Sequence, residues 1–173
     1  VGVCSADIQA PASKGADLRI VEDGKVELYA YHADATPDAV TVCGRRWPTI
    51  EAMGEAAFAD FLPTRIATEA VYVTIDKDVL RPADAGTNWD QGRMGLGFLK
   101  TLIASALKGR QLIGADVVGD WSAASYGGGL LPSMLKRAEA ALDQPWRAPA
   151  PAILAGNEAV NLALLDQILA VAR

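Results

Sequence analysis

Two apolar stretches, VYVTI at 71–75 and QLIGADVV at 111–118, flank a third, FLKTLIASAL at 98–107. In the third, positions 98, 99, 102, 103, 106 and 107 are apolar and recur at helical spacing. This order of strand, helix and strand constrains the fold more than any other feature of the chain. Parallel neighbours need a long crossover, usually a helix, and strands buried on both faces read as near-continuous apolar runs. The pattern predicts an α/β domain around a mainly parallel sheet.

The remaining elements are punctuated by turn residues. Residues 1–6 read as a short strand. Asp23-Gly24, between Leu18–Val21 and Val26–Tyr31, signals a two-residue hairpin. ADATPD at 33–38 is a turn, and Val40–Cys43 a further short strand. Thr49, after Pro48, caps a helix that runs to about Phe61, before Pro63. Gly109 ends the helix at 98–107. Residues 81–97 are irregular, and 119–129 form a loop containing Gly127-Gly128-Gly129. Leu130–Leu142 reads as a helix, the prolines at 145, 149 and 151 break the chain, and Asn157–Val171 is a closing helix.

At 173 residues, with 51% hydrophobic and 21% charged residues, the chain suits one domain spanning 1–173 with a sizeable core. Its net charge of −5 gives no basic footprint for nucleic acid, while a small cationic substrate or a metal ion is compatible. No apolar run approaches the roughly 20 residues that span a bilayer. The start, VGVCSADIQ, lacks the basic and long apolar regions of a signal peptide. Cys4 and Cys43 lie far apart without a CxxC spacing and read as small buried hydrophobes in a reducing, cytoplasmic setting, with a disulfide as the alternative. There is no initiator Met, and Val1-Gly2-Val3-Cys4 resembles the tail of a core strand. The sequence given is therefore expected to be part of a longer protein.

The charges that close the strand at 71–75 point to chemistry. In a parallel α/β sheet, ligands collect beyond the carboxyl ends of the strands. Asp76 and Asp78 stand there, and along an extended segment residues i and i+2 point the same way. Two converging carboxylates repel, and a divalent cation between them relieves the repulsion. Hard oxygen donors suit Mn²⁺ or Mg²⁺, and Zn²⁺ becomes a candidate if imidazoles join. The structural alternative is that the pair caps a following helix or pairs with Lys77 or a nearby arginine.

TIDKDVL followed by RPADAGTNWDQG resembles the arginase–agmatinase (ureohydrolase) family, whose strand motif Ser-x-Asp-x-Asp-x-x-Asp-Pro precedes a Gly-Thr-Pro loop. VGVCSAD is similar to the family's earlier strand, QLIGADVV to its later strand, and NEAVNLALLDQILA to its last helix. The resemblance spans most of the chain in order and is most specific at 73–92. It implies a three-layer α/β/α fold, with this chain as its C-terminal half. Asp76 would bridge two metal ions, most simply Mn²⁺ with Zn²⁺ possible in principle, and Asp78 would bind one of them. The implied reaction is metal-assisted hydrolysis of the C–N bond of a small amide, amidine or guanidino substrate, in a protein that can form homo-oligomers.

The chain departs from that pattern in three places. The family's upstream His and Asp-x-His-x-Asp ligands are missing, and the single histidine, His32, reads more simply as exposed or locally bonded. Either those ligands lie in a longer chain or the site is degenerate. Gly119 stands where the family's later strand carries a Glu that helps bind a guanidino group, which argues against arginine or agmatine as substrate. Arg81-Pro82 and TNWDQG replace Asp-Pro and Gly-Thr-Pro. In that loop Asn88, Asp90 and Gln91 are candidate substrate contacts, the alternative being an Asx-type turn anchored by Trp89. Asp116, inside a strand, reads as structural or as a support for ligands. Gly127-Gly128-Gly129 lacks the Lys-Ser/Thr that completes a phosphate loop. The rival to a hydrolase is a non-catalytic relative that uses the fold for binding or as an assembly subunit.

Overall fold

The computed structural model of the chain describes residues 2–5, 27–31, 38–42, 45–88, 91–121, 129–131, 133–135, 138 and 149–172. Six strands, β1 (Gly2–Ser5), β2 (Leu28–Tyr31), β3 (Ala39–Val42), β4 (Arg45–Pro48), β5 (Ala70–Asp76) and β6 (Gln111–Val118), lie among them. The helices are α1 (Ile50–Met53), α2 (Glu55–Arg65), α3 (Leu96–Leu107) and α4 (Pro151–Val171). β1 pairs with β2 and β5 with β6, both in parallel, whereas β3 and β4 are antiparallel. The fold is α/β, and the predicted unit at its centre, β5–α3–β6, is present with its strands parallel.

β5 and β6 run in register from Ala70–Gln111 to Asp76–Val118, with one irregularity between Val71 and Tyr72. That shift sets Thr74 opposite Asp116 and leaves the carboxyl ends of the strands level. Side chains alternate: Val71, Val73 and Ile75 pack toward the core, while Tyr72, Thr74 and Asp76 are exposed. The all-apolar runs suggested burial on both faces, yet Tyr72 is 56% and Ile113 62% exposed.

The core lies on the other face. Phe58 and Leu62 of α2, Phe98, Leu102 and Ile103 of α3, and Val160, Leu164 and Ile168 of α4 join Ile75, Leu80 and Met94 in one buried cluster. α3 packs against both α2 and α4. The Tyr29 and Phe58 rings meet edge-on at 4.9 Å between centroids. Phe58 is fully buried, and truncating such a ring to alanine costs about 3–5 kcal/mol.

Several boundaries differ from expectation for identifiable reasons. Thr49 caps α1 as predicted, its hydroxyl accepting from the Ala52 N–H at 3.3 Å. The single helix expected there is broken at Gly54, where φ is +84°. α2 then runs past Pro63 to Arg65. Arg110 donates to the Pro63 and Ile66 carbonyls at 2.6 and 2.8 Å and so holds the last turn that proline would otherwise weaken. α4 begins at Pro151, six residues before the predicted start, because proline suits the first helical turn, where its missing N–H costs nothing. β2 pairs with β1, and the Asp23-Gly24 hairpin lies outside the described residues. Within the helix predicted over 130–142, residues 130, 131, 133–135 and 138 are helical. Among the described residues, no helix is long and apolar enough to cross a membrane.

Candidate functional site

β5 ends at Asp76, and Lys77–Val79 coil into one 3₁₀ turn. The alternation that would aim Asp76 and Asp78 the same way therefore stops at Asp76, and the turn relates them instead. The Asp78 N–H donates to Asp76 Oδ1 at 3.2 Å. Asp76 thus caps the turn, the structural role set beside the metal role in the sequence. A carboxylate offers about four lone-pair directions, and one N–H occupies only one of them. Asp76 is exposed and Asp78 half-buried, both at the carboxyl end of the parallel pair.

Between them, Lys77 is wholly buried. Its ammonium binds the Asp120 carboxylate and donates to Asn161 Oδ1 at 2.7 Å. The Asn161 amide closes the triangle by donating to Asp120 Oδ2 at 3.3 Å. Asp120 follows β6, and Asn161 belongs to α4, so three elements meet at this ammonium. Asp120 is also the residue beside the position where the family carries its Glu, and here its charge is engaged by Lys77.

Gly119 explains why no side chain stands at that position. Its φ is +84°, and a β-carbon on it would lie 2.1 Å from Asp76 Oδ1 and 2.8 Å from the Lys77 nitrogen. Gly92 is a second close approach: its N–H donates to the Asp78 carbonyl at 2.5 Å, and a β-carbon would lie 2.2 Å from the Val79 oxygen. Two glycines therefore clasp the turn that carries Asp76 and Asp78.

The TNWDQG loop is fastened from within. Gln91 Nε2 donates to the Leu80 carbonyl at 2.5 Å, and Gln91 Oε1 accepts from the Thr87 N–H at 3.2 Å. Asn88 is only 3% exposed. Of the candidate substrate contacts, Asn88 and Gln91 are thus inside the loop, while Asp90, with Trp89, lies outside the described residues. Asn157 of α4 grips the loop's start with both ends of its amide, accepting from the Gly86 N–H at 3.0 Å and donating to the Gly86 carbonyl at 2.7 Å. Asn157 and Asn161 are one turn apart on one face of α4. Sequence reasoning missed both. The signal was available: two asparagines at i and i+4, in line with Val160, Leu164 and Ile168 on the buried side of the helix.

Two other carboxylates are accounted for. Burial pushes the Asp84 carboxyl up, but the Leu96 N–H and the Arg81 guanidinium outweigh it and hold the group below its ordinary range. Arg81, the departure from the family's Asp-Pro, thus helps Asp84 close the N-terminus of α3. Asp116 accepts from the Thr74 and Tyr72 hydroxyls at 2.7 and 2.8 Å, and these bonds, Thr74's the stronger, lower its pKa. This agrees with the structural reading of Asp116. His32, Cys43 and Gly127-Gly128 lie outside the described residues.

The carboxylates of Asp76 and Asp78 fit one side of a hard divalent-cation site by their donor chemistry. Among the described residues, no group of three or more His, Cys, Asp or Glu is gathered as a complete ligand set would be.

No family model and no curated protein matches the chain. Among solved structures, proclavaminate amidino hydrolase from Streptomyces clavuligerus is similar at 19% identity and a TM-score of 0.46, over 82% of this chain and 52% of that one. A hypothetical agmatinase from Burkholderia thailandensis is similar at 20% identity and a TM-score of 0.47, over 96% of this chain and 50% of that one. The chain spans about half the length of each.

Proposed function

We propose that the chain is the C-terminal part of a metal-dependent hydrolase that cleaves a C–N bond in a small amide, amidine or guanidino-type molecule. The observation that carries this reading is the pair Asp76 and Asp78 on a glycine-clasped turn at the carboxyl end of a parallel β–α–β unit. In this reading the carboxylates of Asp76 and Asp78 would help to hold a pair of divalent ions, Mn²⁺ by preference and Zn²⁺ if imidazoles complete the set. When bound, such ions supply Lewis acidity and a water acidified enough to attack at neutral pH. In this reading the remaining ligands would be supplied by residues outside the sequence given.

The residues present have their own tasks. The turn fixes where the carboxylates stand. Asn88, Asp90 and Gln91 form the substrate-side loop, with Gln91 setting its shape through Leu80 and Thr87. Gly119 leaves no carboxylate where a guanidinium would be gripped, and Asp120 is engaged by Lys77. Both facts favour a neutral amide over arginine or agmatine. The protein would work in the cytoplasm, as a homo-oligomer.

A non-catalytic relative is the second reading. The capping role of Asp76 and the lack of a three-donor group among the described residues favour it. The test is a hydrolysis screen of the full-length protein loaded with Mn²⁺, scoring ammonia and urea release from amides, amidines and guanidines. Turnover that is lost on adding chelator and in Asp78→Ala supports the hydrolase. A chain that binds Mn²⁺ but releases neither product supports the relative.

A further inference from the structure

We infer that Asp120 and Asn161 divert the Lys77 ammonium away from Asp76 and Asp78, and so keep a built-in cation out of the place a metal ion would take. The inference rests on the metal reading above and concerns residues that reading does not use.

Lys77 sits in sequence between the two carboxylates. A lysine there would neutralise the pair and satisfy it without any metal. It is instead drawn fully inside, to the Asp120 carboxylate and to Asn161 Oδ1 at 2.7 Å. Asn161 also donates to Asp120 at 3.3 Å, which orients that carboxylate toward the ammonium. The arrangement balances one positive charge with one negative charge away from Asp76 and Asp78. A buried ammonium that loses its anion is strongly disfavoured where it is. It moves to another anion or to water, and Asp76 and Asp78 are its neighbours in sequence. Asp120 and Asn161 are therefore positioning residues that decide where Lys77 goes.

A purely structural ion pair predicts something different, and Mn²⁺ binding separates the two. Free Mn²⁺ is followed by its EPR signal during titration of the full-length protein, with thermal stability recorded alongside. Asp120→Ala releases Lys77 and weakens Mn²⁺ binding by about 10- to 100-fold, the range found when groups supporting metal ligands are removed. Adding Lys77→Met to Asp120→Ala removes the competitor and returns the affinity to within a few-fold of wild type. Lys77→Met alone, which keeps the chain length and drops the charge, binds Mn²⁺ at least as tightly as wild type. This last variant serves if Asp120→Ala does not fold.

Weaker binding by Lys77→Met, unchanged binding by Asp120→Ala, or a double variant weaker than Asp120→Ala overturns the inference while leaving the metal site standing. A wild-type protein that takes up no Mn²⁺ overturns the metal reading, and this inference with it.

Discussion

Gly119 and Asp76 occupy each other's space: a β-carbon on Gly119 would stand 2.1 Å from Asp76 Oδ1. The glycine is also at φ +84°, a backbone conformation that other residues reach at a cost of roughly 1–2 kcal/mol. Placing a glutamate at this position should therefore fail twice. Gly119→Glu is expected to lower Tm by several degrees, since about 1 kcal/mol moves Tm by about 2–4 °C in a chain of this size. It should also displace Asp76 rather than create guanidine hydrolysis. Calorimetry and a guanidine assay check both, and a stable Gly119→Glu protein that hydrolyses agmatine would refute the account of this position.

Gln91 is expected to matter for stability before it matters for substrate. Gln91→Ala leaves the Leu80 carbonyl and the Thr87 N–H without their side-chain partner, at about 1–3 kcal/mol for each buried group left unsatisfied. Gln91→Glu should be no better, because an oxygen then faces the Leu80 carbonyl. Chemical denaturation of the two variants measures this. A loss confined to substrate KM, with stability unchanged, would assign Gln91 to the substrate instead.

Asn157 ties α4 to the start of the same loop through both atoms of Gly86. Asn157→Leu, close in size but without hydrogen bonds, is expected to cost about 1–3 kcal/mol. It should also speed amide exchange at Gly86 and Thr87 more than in α3. Hydrogen exchange resolved by residue distinguishes this local loosening from a uniform loss of stability.

Stability should fall on the alkaline side through Tyr31. Burial, with the hydrogen bond its hydroxyl donates to Glu55 at 2.6 Å, raises its pKa to about 12 from the ordinary 10.0. The folded state thus holds this proton where the unfolded state has lost it. The contribution is complete below pH 10 and disappears as pH rises from 10 toward 12. Tyr31→Phe should flatten that part of the Tm–pH profile and leave the neutral region lower by the lost hydrogen bond.

The fold was legible where one force dominated. Continuous apolar runs at 71–75 and 111–118, around a helix of clear periodicity, specified β5–α3–β6, and Thr49 and Gly109 marked helix ends by local chemistry. Pro63 and Pro151 misled, because a proline's effect depends on its position in a helix and on what else satisfies the carbonyls. Arg110 supplies that help from 44 residues beyond Ile66. The strand-end position of Asp76 and Asp78 was legible as well. The 3₁₀ turn joining them was not, since it depends on close approaches by Gly92 and Gly119 from elsewhere in the chain. In the sequence Lys77 reads as a possible partner of its neighbours Asp76 and Asp78. Its actual partners, Asp120 and Asn161, are 43 and 84 residues away; the pairing of β5 with β6 brings the first to it and α4 carries the second.

The central claim is that Asp76 and Asp78 hold metal. The direct test is elemental analysis of the full-length protein purified without chelator, with Asp76→Ala prepared in parallel. The account predicts close to two Mn, Zn or similar ions per chain in wild type and their loss in Asp76→Ala, with the variant still folded by circular dichroism. Wild-type protein with no bound metal, even after reconstitution with Mn²⁺, would contradict it and leave Asp76 as the cap of a turn.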